Sequence, residues 1–598
     1  MEIQPGPPGV IRLGAFELDV RTRELRQGAT RVRLQDQPFE ILRLLLARPG
    51  DVVTREELRK RLWPDGTYVD FEHSLNAAVK RLRNSLGDDA DNPRFVETLP
   101  RRGYRFIALL DPADAGADAQ PPHRPAPTIR LAVLPFSNLS SERQDYFSDG
   151  LTEELISQLG GLCRGRIGVL ARWSSMVFKG TPLGAREVGE ALRADYLLEG
   201  SVRHEGDRVR VTARLIETAG ETQMWAEAYD RRLTHCLTVQ TDVAAHIARS
   251  LATELAPEAR ASASGAVEPS AYQAYLKGRY FWNKTEDQGL DQAIAYYDEA
   301  LALEPSFGRA HAALARARVL RAEFYRDVPR LALVRARDAA RRALELDGSL
   351  YEAHLALADT SRMLDWDWPA AEVSYSQAIA LNPSAECCHC AYAVLLAALG
   401  RHAEAAREME RACELDPLCL VVGGNAAWVA YAAGDYHAAI EFARNTIDMD
   451  PEFVPARRVL AAAYLQGGRH ADAVAELETS AALTSNPVLL AWLAHAKAVT
   501  GHTHEAEALV ARVLGAAGYV RQYPLAIAYT GLGRFDDAFE ALDIACLDRD
   551  PMLVHVGVEP RFEPLRSDGR FGDLLERMRL PALSAPAPSG AASPWIRG

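Results

Sequence analysis

The sequence predicts a multidomain chain with an α+β head, an α/β middle and an all-α solenoid of repeated helical pairs. Three observations predict it. A cationic amphipathic stretch, Ser74–Leu86, is followed by two short β-like runs joined by an arginine-bearing turn. Between Ile129 and Leu255, apolar strand-like runs alternate with helical periodicity and then give way to three strands in succession. From about Ser270 onward, Gly and Pro recur with the period of a stacked two-helix unit.

The head rests on its helix and hairpin. In Ser74–Leu86 the apolar residues Leu75, Val79, Leu82 and Leu86 fall at i, i+4, i+7 and i+11, which makes one buried stripe. Asn76, Lys80 and Arg83 share another face, with Arg81 and Asn84 beside it, and Gly87 ends the helix. Arg94–Thr98 and Tyr104–Ile107 read as strands, with Arg101 and Arg102 at the turn. Such a helix suits the major groove of DNA while the arginines reach phosphates or the minor groove. The same pattern also describes a solvated amphipathic helix with an ordinary basic turn.

The surrounding residues carry a resemblance. FELD (Phe16–Asp19), RELRQG followed by RVRLQ, PFEILRLLL (Pro38–Leu46), VVTREELRKRLWP (Val52–Pro64), VD (Val69–Asp70), AVKRLRNSLGD and RGYRF occur in this order. Over about Val10–Leu110 the chain resembles the effector domain of OmpR/PhoB-type response regulators, a winged helix-turn-helix with an N-terminal sheet. The resemblance implies double-stranded DNA and RNA polymerase as partners, with a homodimer on DNA. By position it makes Asn76, Lys80, Arg81 and Arg83 recognition-helix contacts, and Arg101 and Arg102 the wing. Thr54 and Arg55 become phosphate contacts at the start of a helix, where anions are favoured. FEHSLN, between Val69 and Ala77, departs from the pattern by lengthening the segment that enters the helix; this is similar to the variant in one-component regulators.

Composition divides the chain electrically. The 598 residues carry 68 Lys+Arg against 81 Asp+Glu, a net −13. Residues 1–110 hold 19 basic and 16 acidic side chains, or +3, so the remainder carries −16, a basic head on an acidic body. The N-terminal MEIQPGPPG lacks a signal-peptide pattern, and eight scattered cysteines suggest reduced thiols in a cytoplasmic protein. The longest uncharged run, Leu418–Gly434, is interrupted by Asn425 and glycines, so no membrane partner is expected. Residues 1–9 and 581–598 read as disordered tails, and Asp111–Thr128, rich in Pro, Ala and Asp, as a flexible linker.

Residues 129–262 form the middle domain. IRLAVLPF and Ile167–Ala171 read as strands, Ser148–Leu159 and Ala185–Leu192 as helices. Tyr196–Arg203, Val209–Glu217 and Gln223–Tyr229 read as antiparallel strands, and Thr241–Leu255 as a closing helix. AVLPFSNLS, YFSDGLTEELI, YLLEGSV and WAEAYDRRL resemble a TolB/FlgO-like domain, a likeness that speaks to fold more than to activity. No phosphate-binding loop, nucleophile elbow or HExxH motif is present, so no enzyme activity and no cofactor are expected. Asp149, Glu153 and Glu154 suggest a carboxylate site, although such residues more often form a solvated first turn. Arg172 with Ser174 and Ser175 suggests an anion site, against the plainer reading of polar residues after a strand.

Residues 263–580 form the solenoid. Pro383, Pro417, Pro451 and Pro487 are spaced 34, 34 and 36 residues apart, and Gly400, Gly434, Gly468, Gly501 and Gly533 recur every 32–34. This is the tetratricopeptide pattern, giving about eight helical pairs around a concave binding surface. The interval between Pro305 and Asp347 is longer, which places an insertion near Tyr325–Pro329. By repeat position, Cys387, Cys390, Val394, Ala397, Val421, Gly424, Trp428, Tyr431 and Arg458 face the groove. The clamp for a C-terminal carboxylate is missing, which leaves a mixed groove for a peptide, a protein surface or another part of this chain. Cys387-Cys388-His389-Cys390 brings at most two ligands together on a helix, short of a zinc site, so no metal is expected. The expectation is a one-component transcriptional regulator; the alternative is a repeat scaffold whose winged helix binds protein.

Overall fold

A computed structural model describes residues 10–13, 16–19, 24–27, 30–32, 34, 36–46, 52–55, 57–58, 71–86, 88, 93, 95–99 and 103–106 of the head. Beyond it are described 129–140, 145–162, 167–205, 208–232, 247, 267–282, 287–324, 328–484, 486–516 and 518–581. The chain divides into two units, Met1–His123 and Arg124–Gly598.

In the first unit β1 (Val10–Leu13), β2 (Phe16–Asp19), β3 (Glu24–Gln27) and β4 (Thr30–Val32) form an antiparallel sheet in that order. Leu18 and Leu25 are direct cross-strand partners and both are fully buried, as alternation requires of one core-facing row. Helix α1 (Asp36–Leu46) adds Phe39, Leu42 and Leu46 to the same core. Then come β5 (Val52–Thr54), α2 (Phe71–Leu86), β6 (Val96–Leu99) and β7 (Gly103–Phe106), the strands forming a sheet ordered β5-β7-β6. The stripe Leu75, Val79, Leu82 and Leu86 is buried as its spacing predicts. Helix α2 starts at Phe71 rather than Ser74, so the unusual FEHS stretch adds helix at the entry instead of loop. Gly103 is required by packing: a Cβ there would stand 2.1 Å from the Val53 carbonyl oxygen of the paired strand.

In the second unit β8 (Ile129–Val133) runs parallel to both β10 (Ile167–Val169) and β11 (Tyr196–Glu205). The long strands β11, β12 (Arg208–Glu217) and β13 (Thr222–Arg232) continue as an antiparallel meander, and short β9 (Ser137–Asn138) pairs with β11. The middle is therefore a mixed sheet. Helix α3 (Asp145–Leu162) covers it through Phe147, Leu151, Leu155 and Leu159, while α4 (Arg172–Met176) and α5 (Ala185–Leu192) flank it. The expected helix Thr241–Leu255 lies outside the described residues except for Ile247, which is buried in this core.

The repeats are helix pairs: 269–282 with 287–303, 308–324 with 329–346, 351–360 with 368–381, 386–398 with 402–415, 420–432 with 436–449, 454–466 with 470–483, 487–499 with 503–514, and 522–531 with 535–548. Gly400, Gly434, Gly468, Gly501 and Gly533 take φ of +70° to +86° between the helices, which is why glycine recurs there. The long second unit has helices of 17 and 18 residues against 13 and 14 in the unit that follows Pro383; of the insertion expected near Tyr325–Pro329, residues 325–327 lie outside the described residues. In the third pair Trp366 holds the left-handed turn at φ 52° after a π-helical turn, Ser361–Asp365. After the eighth pair, 3-10 turns Pro551–His555 and Pro560–Leu565 return along first helices of the units, and a helix, Gly569–Arg577, pairs through Arg570 and Arg577 with Asp536 and Asp543 of the last second helix. Among the described residues no helix is long and apolar enough to cross a membrane.

Candidate functional site

Helix α2 is fastened to the hairpin at both ends. Near its start, Asn76 Oδ1 accepts from the Tyr104 hydroxyl at 2.7 Å and from Arg55 Nη1 at 3.4 Å, and the Arg55 guanidinium lies over the Tyr104 ring at 5.3 Å. Near its end, Arg83 is 8% exposed and donates to the Val96 carbonyl at 2.6 Å and to the Thr98 hydroxyl at 2.8 Å. Asp88 completes the anchor by accepting from Val96 N at 2.8 Å. This corrects one of the expected DNA contacts: Arg83 holds the helix against the wing, and its buried guanidinium is not offered to a nucleic acid, whereas Asn76 is bonded to the hairpin and exposed. The sequence could have signalled it, because Arg83 follows directly on Leu82 of the apolar stripe.

Lys80 and Arg81 are exposed on the same helix. Thr54 opens the preceding helical segment in a reciprocal cap: its N–H and hydroxyl donate to Glu57 Oε2, each at 2.8 Å, and Glu57 N donates back to Thr54 Oγ1. Arg101 and Arg102 lie outside the described residues. On the wing strands, Arg105 and Glu97 form an ion pair at 2.6 Å.

In the middle domain the two sequence candidates turn out to be docking contacts. Glu153 pairs with Arg279, Glu154 accepts from Arg309 at 2.5 and 2.9 Å, and Asp149 pairs with Lys179 at 2.8 Å. Burial alone would raise the Glu154 carboxyl, but Arg309 outweighs it and holds it low. These carboxylates, in the second and third turns of α3, are therefore ion-paired within the chain rather than a solvated first turn. Ser174 does hold an anion, though one belonging to this chain. Its N–H donates to Asp416 Oδ1 at 2.9 Å, its hydroxyl contacts the same atom, and Leu418 N donates to the Ser174 hydroxyl oxygen. Arg130 Nη2 to the Glu414 carbonyl at 2.6 Å and Ala171 N to the Leu415 carbonyl at 2.9 Å extend this seam.

The groove residues are met by the closing segment. The Tyr431 hydroxyl donates to Glu559 at 2.8 Å, the Trp428 ring packs on His555 at 4.8 Å, and Cys390 and Val394 share an apolar cluster with Val558. Glu559 is paired with Arg561 at 2.7 Å, both essentially fully buried, and Arg561 stacks on Trp492 at 3.6 Å. Of the three occupants the sequence left open, the chain itself is the one present here. Val421 stays 47% exposed, whereas Cys387 is only partly buried and Arg458 lies over Trp492 at 4.9 Å. Cys390 Sγ accepts from Asn425 Nδ2 at 3.2 Å, and Cys413 and Cys419 pack in the same cluster. Among the described residues no three side chains are placed to hold a metal. Sequence reasoning missed Asp416, His555 and Glu559, whose contacts with Ser174, Trp428 and Tyr431 lie more than a hundred residues apart, and Arg561, which pairs with Glu559 and stacks on the distant Trp492.

Comparison with known proteins follows the same division. The family description "Transcriptional regulatory protein, C terminal" matches residues 29–106, "HilA/YgeH-like transcriptional regulator, second domain" matches 127–246, and tetratricopeptide repeats match 388–417 and 430–486. A putative adenylate cyclase 3 of Rhizobium meliloti is 32% identical over 321 residues, 52% of this chain; the chain spans about half of that relative's length, 51%. The transcriptional regulator HilA of Salmonella typhimurium is 23% identical over 420 residues, 70% of this chain and 72% of that protein. Among solved structures, the Klebsiella pneumoniae RstA DNA-binding domain in complex with RstA box is 30% identical, covering 16% of this chain and 96% of that one with a TM-score of 0.15. The chain thus carries an OmpR/PhoB-type winged helix, a HilA-like regulator domain and tetratricopeptide repeats.

Proposed function

We propose that the chain is a cytoplasmic, non-enzymatic one-component transcriptional regulator whose head binds double-stranded DNA in a sequence-specific way. The observation that carries this reading is the exposed Lys80 and Arg81 on a helix pinned to its wing by Asn76 and Arg83, within a domain matched by transcriptional regulatory proteins. A helix held this firmly spends little entropy on entering a groove. In this reading residues 10–110 are the DNA-binding domain, 129–262 a TolB/FlgO-like domain and 263–580 the solenoid, with 111–128 as linker. Lys80 and Arg81 read bases or phosphates, Arg55 meets phosphate with Thr54 beside it at the helix start, and Arg101 and Arg102 form the wing contact. RNA polymerase and a second copy on DNA are the partners of the head. A protein or peptide meets the repeats at surfaces the closing segment leaves open, such as that around Val421.

The test is a gel shift on DNA selected from genome-wide binding sites. Arg81→Ala is expected to lose about 1–3 kcal/mol at the specific site if it reads a base. Lys80→Ala should weaken all sequences more evenly and lower the salt slope. Unchanged affinity in a folded Lys80/Arg81 double mutant would refute the docking.

A further inference from the structure

The side-chain amide of Asn76 is held in one orientation. Its Oδ1 accepts from the Tyr104 hydroxyl at 2.7 Å and from Arg55 Nη1 at 3.4 Å. Arg55 Nη2 in turn donates to the Tyr104 hydroxyl oxygen at 3.4 Å, which closes a triangle among the three side chains. Arginine can only donate, so the Asn76 atom turned toward it is the carbonyl oxygen and not the amide nitrogen. Tyr104 is 2% exposed and its ring lies under the Arg55 guanidinium at 5.3 Å, so the triangle is backed by the buried side of the hairpin.

A carbonyl oxygen has two lone pairs, and here Tyr104 and Arg55 take both. The two N–H groups of Nδ2 have no partner among the described residues. Asn76 is exposed and lies one helical turn before the exposed Lys80, on the same face of α2. Toward solvent it therefore offers donors and no acceptor. An unconstrained asparagine reads adenine with both ends at once, accepting from N6 and donating to N7. Asn76 has no acceptor left for N6. The base edges that suit it are those presenting acceptors alone, N7 and O6 of guanine or O4 of thymine. The exocyclic amines of adenine and cytosine would face its amine donor to donor.

We propose that Asn76 is a specificity-determining residue of the head, a donor-only reader of keto bases in the major groove, with Tyr104 and Arg55 as the positioning residues that turn its oxygen away from the DNA. The assignment rests on the regulatory reading and deepens it by naming the class of base. A phosphate oxygen also accepts from Nδ2, but phosphate is the same in every sequence, so base preference separates the two sources.

The experiment selects bound duplexes from a randomised pool with the full-length protein, Asn76→Ala and Asn76→Asp, then measures each protein by gel shift on the selected site and its single-base variants. One position should favour guanine or thymine on one strand, by on the order of tenfold over adenine or cytosine, and Asn76→Ala should lose that preference. Asn76→Asp keeps the acceptor for Tyr104 and Arg55 but replaces the outward donor with an acceptor. It should retain the thermal unfolding of the head and still lose the keto preference, so it decides the matter should Asn76→Ala fail to fold. An Asn76-dependent preference for adenine or cytosine, an equal loss on every sequence, or an unchanged preference in both variants overturns the proposal. A full-length protein that selects no sequence overturns the regulatory reading with it, whereas sequence selection that ignores both substitutions overturns the role of Asn76 alone.

Discussion

Arg83 spends its guanidinium on the Val96 carbonyl and the Thr98 hydroxyl, so its removal acts on the head's stability. Arg83→Ala is expected to cost about 1–3 kcal/mol in denaturant unfolding of the head, because it strands a buried carbonyl. Lys80→Ala, at an exposed position, should leave that transition in place. Equal, negligible effects would contradict the anchor. Asp416 makes a different kind of prediction. It is 1% exposed, and burial lifts its carboxyl from an ordinary 3.8 to about 6, with the Ser174 hydrogen bonds pulling the other way. A raised carboxyl binds its proton more tightly when docked, so this contribution is full at low pH and is lost as pH rises through about 6. Asp416→Asn mimics the protonated form. Its Tm advantage over the wild type should be near zero at about pH 4 and grow toward about pH 7, and a flat difference across that range would refute the assignment.

At the scale of elements, the apolar stripes were the legible part. Leu75, Val79, Leu82 and Leu86 announced their helix, and the β11–β13 meander followed from alternation, since each pattern reports a local period. The glycine phrase located the repeat turns because only a left-handed backbone fits there. Trp366 holds such a turn without glycine, its ring covered by Arg549 at 3.6 Å; tertiary packing overrides the local rule and hides the unit from a glycine search. The candidate sites were legible only where they face outward. The exposure of Lys80 and Arg81 could be read, but Arg83, Asp416 and the Glu559–Arg561 pair take their meaning from partners across the fold. Truncation before Asp550 should bare Tyr431, Trp492 and Tyr523 along the first helices. The shortened chain is expected to bind a hydrophobic dye and unfold several degrees earlier. Unaltered dye binding and Tm would show that the closing segment is dispensable.

At the scale of the whole molecule, a net +3 head and a −16 remainder make salt an informative variable. Residues 1–110 alone should bind the same DNA sequence as the full chain, but more weakly and less cooperatively if the remainder associates two copies. A tighter isolated head would mean that the acidic remainder occludes it. Titrating both on one operator at matched salt separates the two, and equal affinity with equal cooperativity would mean that the remainder exerts no control.

The docking of the middle domain has a genealogical consequence. Repeat arrays ordinarily lengthen and shorten by duplicating or losing whole units, because each unit touches only its neighbours. Here one domain grips the array at Arg279 and Arg309 in its first two units and again at Glu414, Asp416 and Leu418 at the end of the fourth. Arg521, near the far end, donates back to the carbonyls of Ala322 and Glu323 in the second unit. A duplicated unit anywhere between these grips would carry one of them out of reach by the width of a helix pair, about 10 Å or more. Descendants of this chain can exchange the side chains of a unit, but the number of units between Arg279 and Arg521 is closed to inheritance by duplication.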